Sequence, residues 1–69
     1  MTTFELNGEE YIELNKLLKL LNFVESGAEA KLRIDNGEVT VNGKTELRRR
    51  NKLRSGDKVC FAGQTIVIA

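Results

Sequence analysis

Cys60 is the only cysteine in a chain of 69 residues, so no disulfide can close within it. A domain this small buries a modest fraction of its surface. Without a covalent staple it must fold on one core and on strong local signals. Apolar residues make up 41% of the sequence. That suffices for one small core, so a single domain over residues 1–69 is expected. A lone thiol fits a reducing compartment, and a cytoplasmic protein is expected. No run of 18 apolar residues exists, and Met1-Thr2-Thr3-Phe4-Glu5 lacks the basic-then-apolar layout of a signal peptide. No membrane partner is therefore expected. Proline and low-complexity stretches are absent, which leaves no marked linker or disordered tail.

The local signals divide the chain into a helical part and a β part. Thr2 to Leu6 reads as a short strand that the Asn7-Gly8 turn breaks. Tyr11 to Leu14 either closes a hairpin with it or leads directly into a helix. Leu14, Leu17, Leu18 and Leu21 fall at i, i+3, i+4 and i+7, one face of an amphipathic helix with Asn22 as its stop. Ser26-Gly27-Ala28-Glu29 has the layout of a capping box and starts a second helix, which Asn36-Gly37 ends. Two short helices joined by about four residues make a helix-turn-helix-like corner. Beyond it, Val39 and Val41 alternate with polar residues, and Asn42-Gly43 is a strong hairpin signal. Ser55-Gly56-Asp57 is another turn, and Val59 to Phe61 and Thr65 to Ile68 read as apolar strands. The expected fold class is α+β, with the corner packed on a small, mostly antiparallel sheet. Leu14, Leu17, Leu18, Leu21, Ala30, Ile34, Val39, Val41, Val59 and Phe61 are the expected core.

Catalysis has little to work with. Histidine, the commonest general base and metal ligand, is absent. Cys60 lies between Val59 and Phe61 and is expected in the core as a small hydrophobe. Asp35 with Glu38 is too sparse for a metal site, and no glycine spacing suits a nucleotide loop. Neither an enzyme nor a bound cofactor or metal is expected. Phe4, Tyr11, Phe23 and Phe61 are dispersed among apolar residues and read as core. That argues against a single-strand reader built on stacking platforms and for a reader of backbone and shape.

The charge is separated along the chain. Residues 1–30 carry six glutamates against Lys16 and Lys19, whereas residues 31–58 carry nine cations against four acids. Five of the seven residues in Arg48-Arg49-Arg50-Asn51-Lys52-Leu53-Arg54 are cationic and none is acidic. Such separation points to a polyanionic partner. If the run is extended, Arg48, Arg50, Lys52 and Arg54 point to one side at about 6.6 Å intervals, close to the spacing of successive phosphates. Arginine's planar fork suits phosphate oxygens. The second helix adds free N–H groups at Ser26 and Gly27, with Lys31 one turn further on. Lys16 and Lys19 share a polar face of the first helix and complete the candidate set.

The order of these parts is similar to a known module. Ser26-Gly27-Ala28-Glu29-Ala30-Lys31, then Ile34, then Asn36-Gly37-Glu38-Val39-Thr40-Val41-Asn42-Gly43-Lys44 resembles the core of the S-four RNA-binding domain, also called the αL motif. Ser55-Gly56-Asp57-Lys58-Val59 matches its later Gly-Asp turn and closing strand, and the likeness spans roughly residues 12–61. The run of arginines and the short C-terminal hairpin look like the small stand-alone bacterial members. The resemblance implies binding of structured RNA, ribosomal or transfer, through the two-helix corner and the adjoining loop. Ser26 and Lys31 occupy the family's capping serine and following basic position. Gly27 and Arg33 depart from the pattern. The enzymes to which most members are appended have no counterpart here, so their activities do not carry over.

The reading is thus a monomeric, non-catalytic RNA-binding module, with ribosomal proteins as possible neighbours. Two rivals stand beside it. One is a protein-interaction module on the ribosome. The other is a DNA-binding helix-turn-helix, against which Glu29 and Asp35 lie on the would-be recognition helix.

Overall fold

The first helix has no capping side chain, and the reason lies in a loop far along the chain. The computed structural model describes residues 1–69. In it α1 (Leu14–Leu20) begins after an extended Glu13 that offers no side-chain cap. Its first N–H groups are satisfied from a distant loop instead: Leu14 N–H donates to the Asn51 carbonyl at 3.0 Å and Asn15 N–H to that of Arg49 at 2.9 Å. A helix start left without partners would be costly. Asn22, with φ 60°, turns the chain out of the helix. Leu14, Leu17 and Leu18 are fully buried, and Leu21 packs half-buried against them.

α2 (Gly27–Asp35) carries its own signals. Glu29 N–H donates to Ser26 Oγ at 3.1 Å, and the Glu29 carboxylate reaches back to Glu25 N–H at 2.9 Å. At its end Glu38 N–H donates to the Arg33 carbonyl and Gly37 N–H to that of Ile34. Gly37 has φ 75°, the left-handed residue this closing motif requires. Ala30 and Ile34 face the core.

Seven strands complete the chain: β1 (Thr2–Phe4), β2 (Ile12–Glu13), β3 (Val39–Val41), β4 (Lys44–Thr45), β5 (Lys52–Leu53), β6 (Lys58–Phe61) and β7 (Gln64–Ile68). Five form one sheet in the order β1-β7-β6-β3-β4, and β2 and β5 form a separate ribbon. Only β1 and β7 run parallel, so the fold is α+β with a mostly antiparallel sheet. β1 thus pairs with β7 and not with the Tyr11–Leu14 segment. That segment leads directly into α1 and pairs with β5, Ile12 opposite Leu53. Asn42 and Gly43 both have positive φ, which matches the twist of the β3–β4 hairpin. No helix is long and apolar enough to cross a membrane.

The core holds Ile12, Val24, Leu53, Ile66 and Ile68 in addition to the expected positions, while Leu21 and Val41 are only half-buried. Two expectations fail on the period-two geometry of strands. Val59 and Phe61 face the helices, so Cys60 between them lies exposed on the other face, its Sγ 3.6 Å from Thr65 Oγ1. Tyr11 precedes the buried Ile12 and therefore lies on the surface, 37% exposed. Phe61 is buried, and Phe4 and Phe23 are half-buried against the core.

Candidate nucleic-acid interface

The basic run is not extended along its length. Arg49 and Arg50 occupy a turn that Asn51 N–H closes on the Arg48 carbonyl at 3.1 Å. The physical cause is the pairing already described, since the Arg49 and Asn51 carbonyls cap α1. Strand geometry begins only at Lys52, where Leu53 is fully buried and Lys52 and Arg54 face solvent on either side of it. The row of evenly spaced cations therefore shrinks to Lys52 and Arg54.

Glu46 organises the other half of the loop. Its carboxylate accepts from Arg48 N–H (3.0 Å), Arg48 Nε (3.0 Å), Arg48 Nη2 (3.0 Å) and Asn51 Nδ2 (2.9 Å). The Glu46 side chain is 13% exposed and that of Arg48 is 77% exposed. The hydrogen bond from the Arg48 side chain, with its backbone N–H and charge, holds the Glu46 carboxyl below the usual carboxylate range against the opposing effect of burial. The same hydrogen bond, with the charge of Glu46, raises Arg48. Of the five N–H donors of Arg48, two serve Glu46 and three remain free for another acceptor.

Arg49, Arg50, Lys52 and Arg54 have no carboxylate within ion-pair distance. Arg48, Arg49 and Arg50 line a cleft of about 540 Å3 with Leu47 and with Asp35 at the C-terminal end of α2. Lys52 Nζ and the Arg54 guanidinium lie 5.0 and 5.6 Å from the centre of the Tyr11 ring. Arg54 N–H donates to Asp57 Oδ2 at 2.8 Å, which fixes the turn after β5.

The remaining candidates are spread over the helices. Lys16 sits in the first turns of α1, 4.0 Å from Glu13 and largely exposed. Lys19 and Lys31 are exposed without an ion-pair partner. Ser26 spends its hydroxyl as an acceptor for Glu29 N–H. A Cβ on Gly27 would meet nothing within 4 Å, so internal packing does not demand the glycine. Ser26 and Gly27 stand at the far end of α2 from Asp35, about 12 Å along the axis at 1.5 Å per residue. They and the arginine turn thus flank the two-helix corner at opposite ends. Arg33 bridges Glu29 (3.5 Å) and Glu38 (2.9 Å), and its Glu38 hydrogen bond raises its pKa. No three metal-ligating side chains converge anywhere.

Sequence reasoning missed Glu46, Asn51 and Tyr11. Glu46 stood outside the run as one acid among four, and nothing local marked it as the partner of Arg48. Tyr11 did carry a signal: it directly precedes a core isoleucine, which places it on the opposite side of a strand.

The model of the S4 domain, the S-four module of the sequence reading, matches residues 4–69. The chain belongs to the S4 domain family. Within the family it is 44% identical to YbcJ of Escherichia coli (strain K12) over 68 residues, 99% of this chain and 97% of the relative. The solution structure of YbcJ from E. coli, described as revealing an αL motif involved in RNA binding, superposes with a TM-score of 0.75 at 43% identity. That alignment covers 100% of this chain and 87% of that one. RlbA of Bacillus subtilis (strain 168), named as a probable ribosome maturation protein, is 41% identical over 54 residues, 78% of this chain and 76% of the relative.

Proposed function

We propose that this S4-domain chain is a non-catalytic RNA-binding protein that holds structured RNA mainly by its phosphates. The observation that carries the reading is the braced basic loop. Arg49, Arg50, Lys52 and Arg54 are exposed and unpaired. The backbone beneath them is tied to α1, while Glu46 grips Arg48 and Asn51. A loop already ordered loses little freedom on binding, so more of the phosphate attraction survives as affinity. Lys16 and Lys19 on α1 and Lys31 on α2 add further exposed cations, with the Ser26–Gly27 helix start as a separate candidate contact.

Ribosomal RNA is favoured over transfer RNA. The likeness to RlbA supports this, given that relative's name as a probable ribosome maturation protein. The likeness to YbcJ, whose structure is described as an αL motif involved in RNA binding, supports the broader reading. On α2, Glu29 and Arg33 are paired with each other, which leaves few side chains to read a DNA major groove.

The test is charge reversal at Arg49 and Arg50, with Arg48 left in place because Glu46 would otherwise face a second carboxylate. Arg49→Glu with Arg50→Glu should leave the fold intact and abolish binding to ribosomal RNA fragments. Single alanine variants at Arg49, Arg50, Lys52 and Arg54 should each flatten the slope of log affinity against log salt by about 0.7–0.9. They should do so alike for different RNA sequences, because phosphate contacts position and do not specify. Unchanged affinity and slope in folded variants would reject the loop as the RNA-binding surface.

A further inference from the structure

We propose that Tyr11 seats one unpaired RNA base bearing an exocyclic amine, an inference that rests on the RNA-binding reading above. Tyr11 is the one aromatic residue outside the core cluster and its partly buried margin. Its ring has Lys52 Nζ at 5.0 Å and the Arg54 guanidinium at 5.6 Å from its centre. The ring also lines a groove of about 340 Å3 with Glu9, Ile12, Glu13 and Lys16, which neither Lys52 nor Arg54 lines. Tyr11 thus has two cations over its ring and borders an open groove.

Each neighbour fits one part of a nucleotide. An aromatic face takes any base by stacking. The cations over the ring fit the phosphate that leads into or out of that base, and the base takes the ring face they leave free. Within the groove, Glu9 and Glu13 repel phosphate and can only accept hydrogen bonds. They suit the amino groups of adenine, cytosine or guanine. Uracil, whose exocyclic groups are both carbonyl oxygens, is the poorest match. A base locked in a duplex cannot reach the ring, so the site selects a bulged or looped nucleotide beside a paired stem.

The experiment uses the whole chain and RNA hairpins that are identical except for one nucleotide: fully paired, with a bulged adenosine, or with a bulged uridine. The adenosine bulge should bind more tightly than the paired hairpin by roughly 5- to 160-fold, the range of a single base–aromatic stack. The uridine bulge should gain less. That ratio should fall to near one in Tyr11→Leu and persist in Tyr11→Phe, with thermal melts as the fold control. Tyr11 is the only tyrosine and there is no tryptophan. Its fluorescence, corrected for RNA absorption, should be quenched more by the bulged hairpin than by the paired one, a readout that needs no variant. A ratio near one in the parent protein, or a ratio that survives Tyr11→Leu, overturns the seat while the RNA-binding reading stands. Equal gains for adenosine and uridine overturn the amine preference. Failure of the parent protein to bind any of the three hairpins overturns both readings.

Discussion

Replacing Leu53 by Ala should damage this protein far more than its neighbourhood in the sequence suggests. Leu53 lies between Lys52 and Arg54 in the most basic stretch of the chain, yet its side chain is fully buried. It pairs opposite the buried Ile12 and seats the β2–β5 ribbon on the core. Truncation removes the buried methyl groups and leaves a cavity, a change that costs about 2–5 kcal/mol for leucine. A domain of this length is stable by roughly 3.5–10 kcal/mol at 0.05–0.15 kcal/mol per residue. The loss is therefore a large share of the whole, and at about 4–8 °C per kcal/mol Tm should fall by about 8–40 °C. Leu53→Met, which conserves volume, should cost less than about 1.5 kcal/mol. Leu47→Ala, in the same loop but 58% exposed, should stay within about 0.5 kcal/mol of the parent. Far-UV circular dichroism melts of the four proteins decide the matter. If Leu53→Ala melts within a few degrees of the parent, the ribbon is not anchored in the core and the account of the braced loop fails with it.

Two further outcomes follow from the same geometry. Glu46 has its pKa lowered from an ordinary value of 4.5, chiefly by the Arg48 side-chain hydrogen bond. Its contribution is therefore complete above the unfolded value and is lost as pH falls through the lower folded value. Acid titration of stability should show the parent and Glu46→Gln converging below about pH 4.5; a constant gap down to strongly acid pH would refute the role of the charge. Cys60, exposed beside Thr65, should react with a thiol reagent in the native protein nearly as fast as in denaturant. Cys60→Ala should change neither stability nor RNA affinity measurably, and a protected thiol would contradict the strand register.

What the sequence disclosed depended on how local the physics was. The Ser26 cap, the Asn36-Gly37 stop and the Asn42-Gly43 hairpin each act over four or five residues, and all are found in the structure. The leucines of α1 showed their face because a helix repeats within the window. Cys60 and Tyr11 were misplaced because cysteine and aromatic residues are often buried; for Cys60 that tendency outweighed its position between two expected core residues, while for Tyr11 the neighbouring Ile12 was not among the expected core. Leu53 and Glu46 were illegible for a different reason. Leu53 owes its burial to a partner forty-one positions away, and Glu46 takes its role from a turn whose carbonyls cap α1. No local window contains either fact. For the interface, the basic residues were visible as composition, while their division between a braced arginine turn and a cation pair beside a tyrosine was not.

The parallel pairing of β1 with β7 has a kinetic consequence. Thr2 lies opposite Ile66, and Ala69 N–H donates to the Phe4 carbonyl. The length-dependent part of closing a loop of that size alone costs about 3.7 kcal/mol, before any β1 contact returns it. The helical corner and the β6–β7 hairpin need only short loops and can form first. β1 should therefore join last, with its contacts weak in the folding transition state and strong in the native state. Mutations that weaken β1, such as Phe4→Ala, should then quicken unfolding while leaving the folding rate almost unchanged. The first strand would act as a latch on the lifetime of the folded protein and have little part in how quickly it forms.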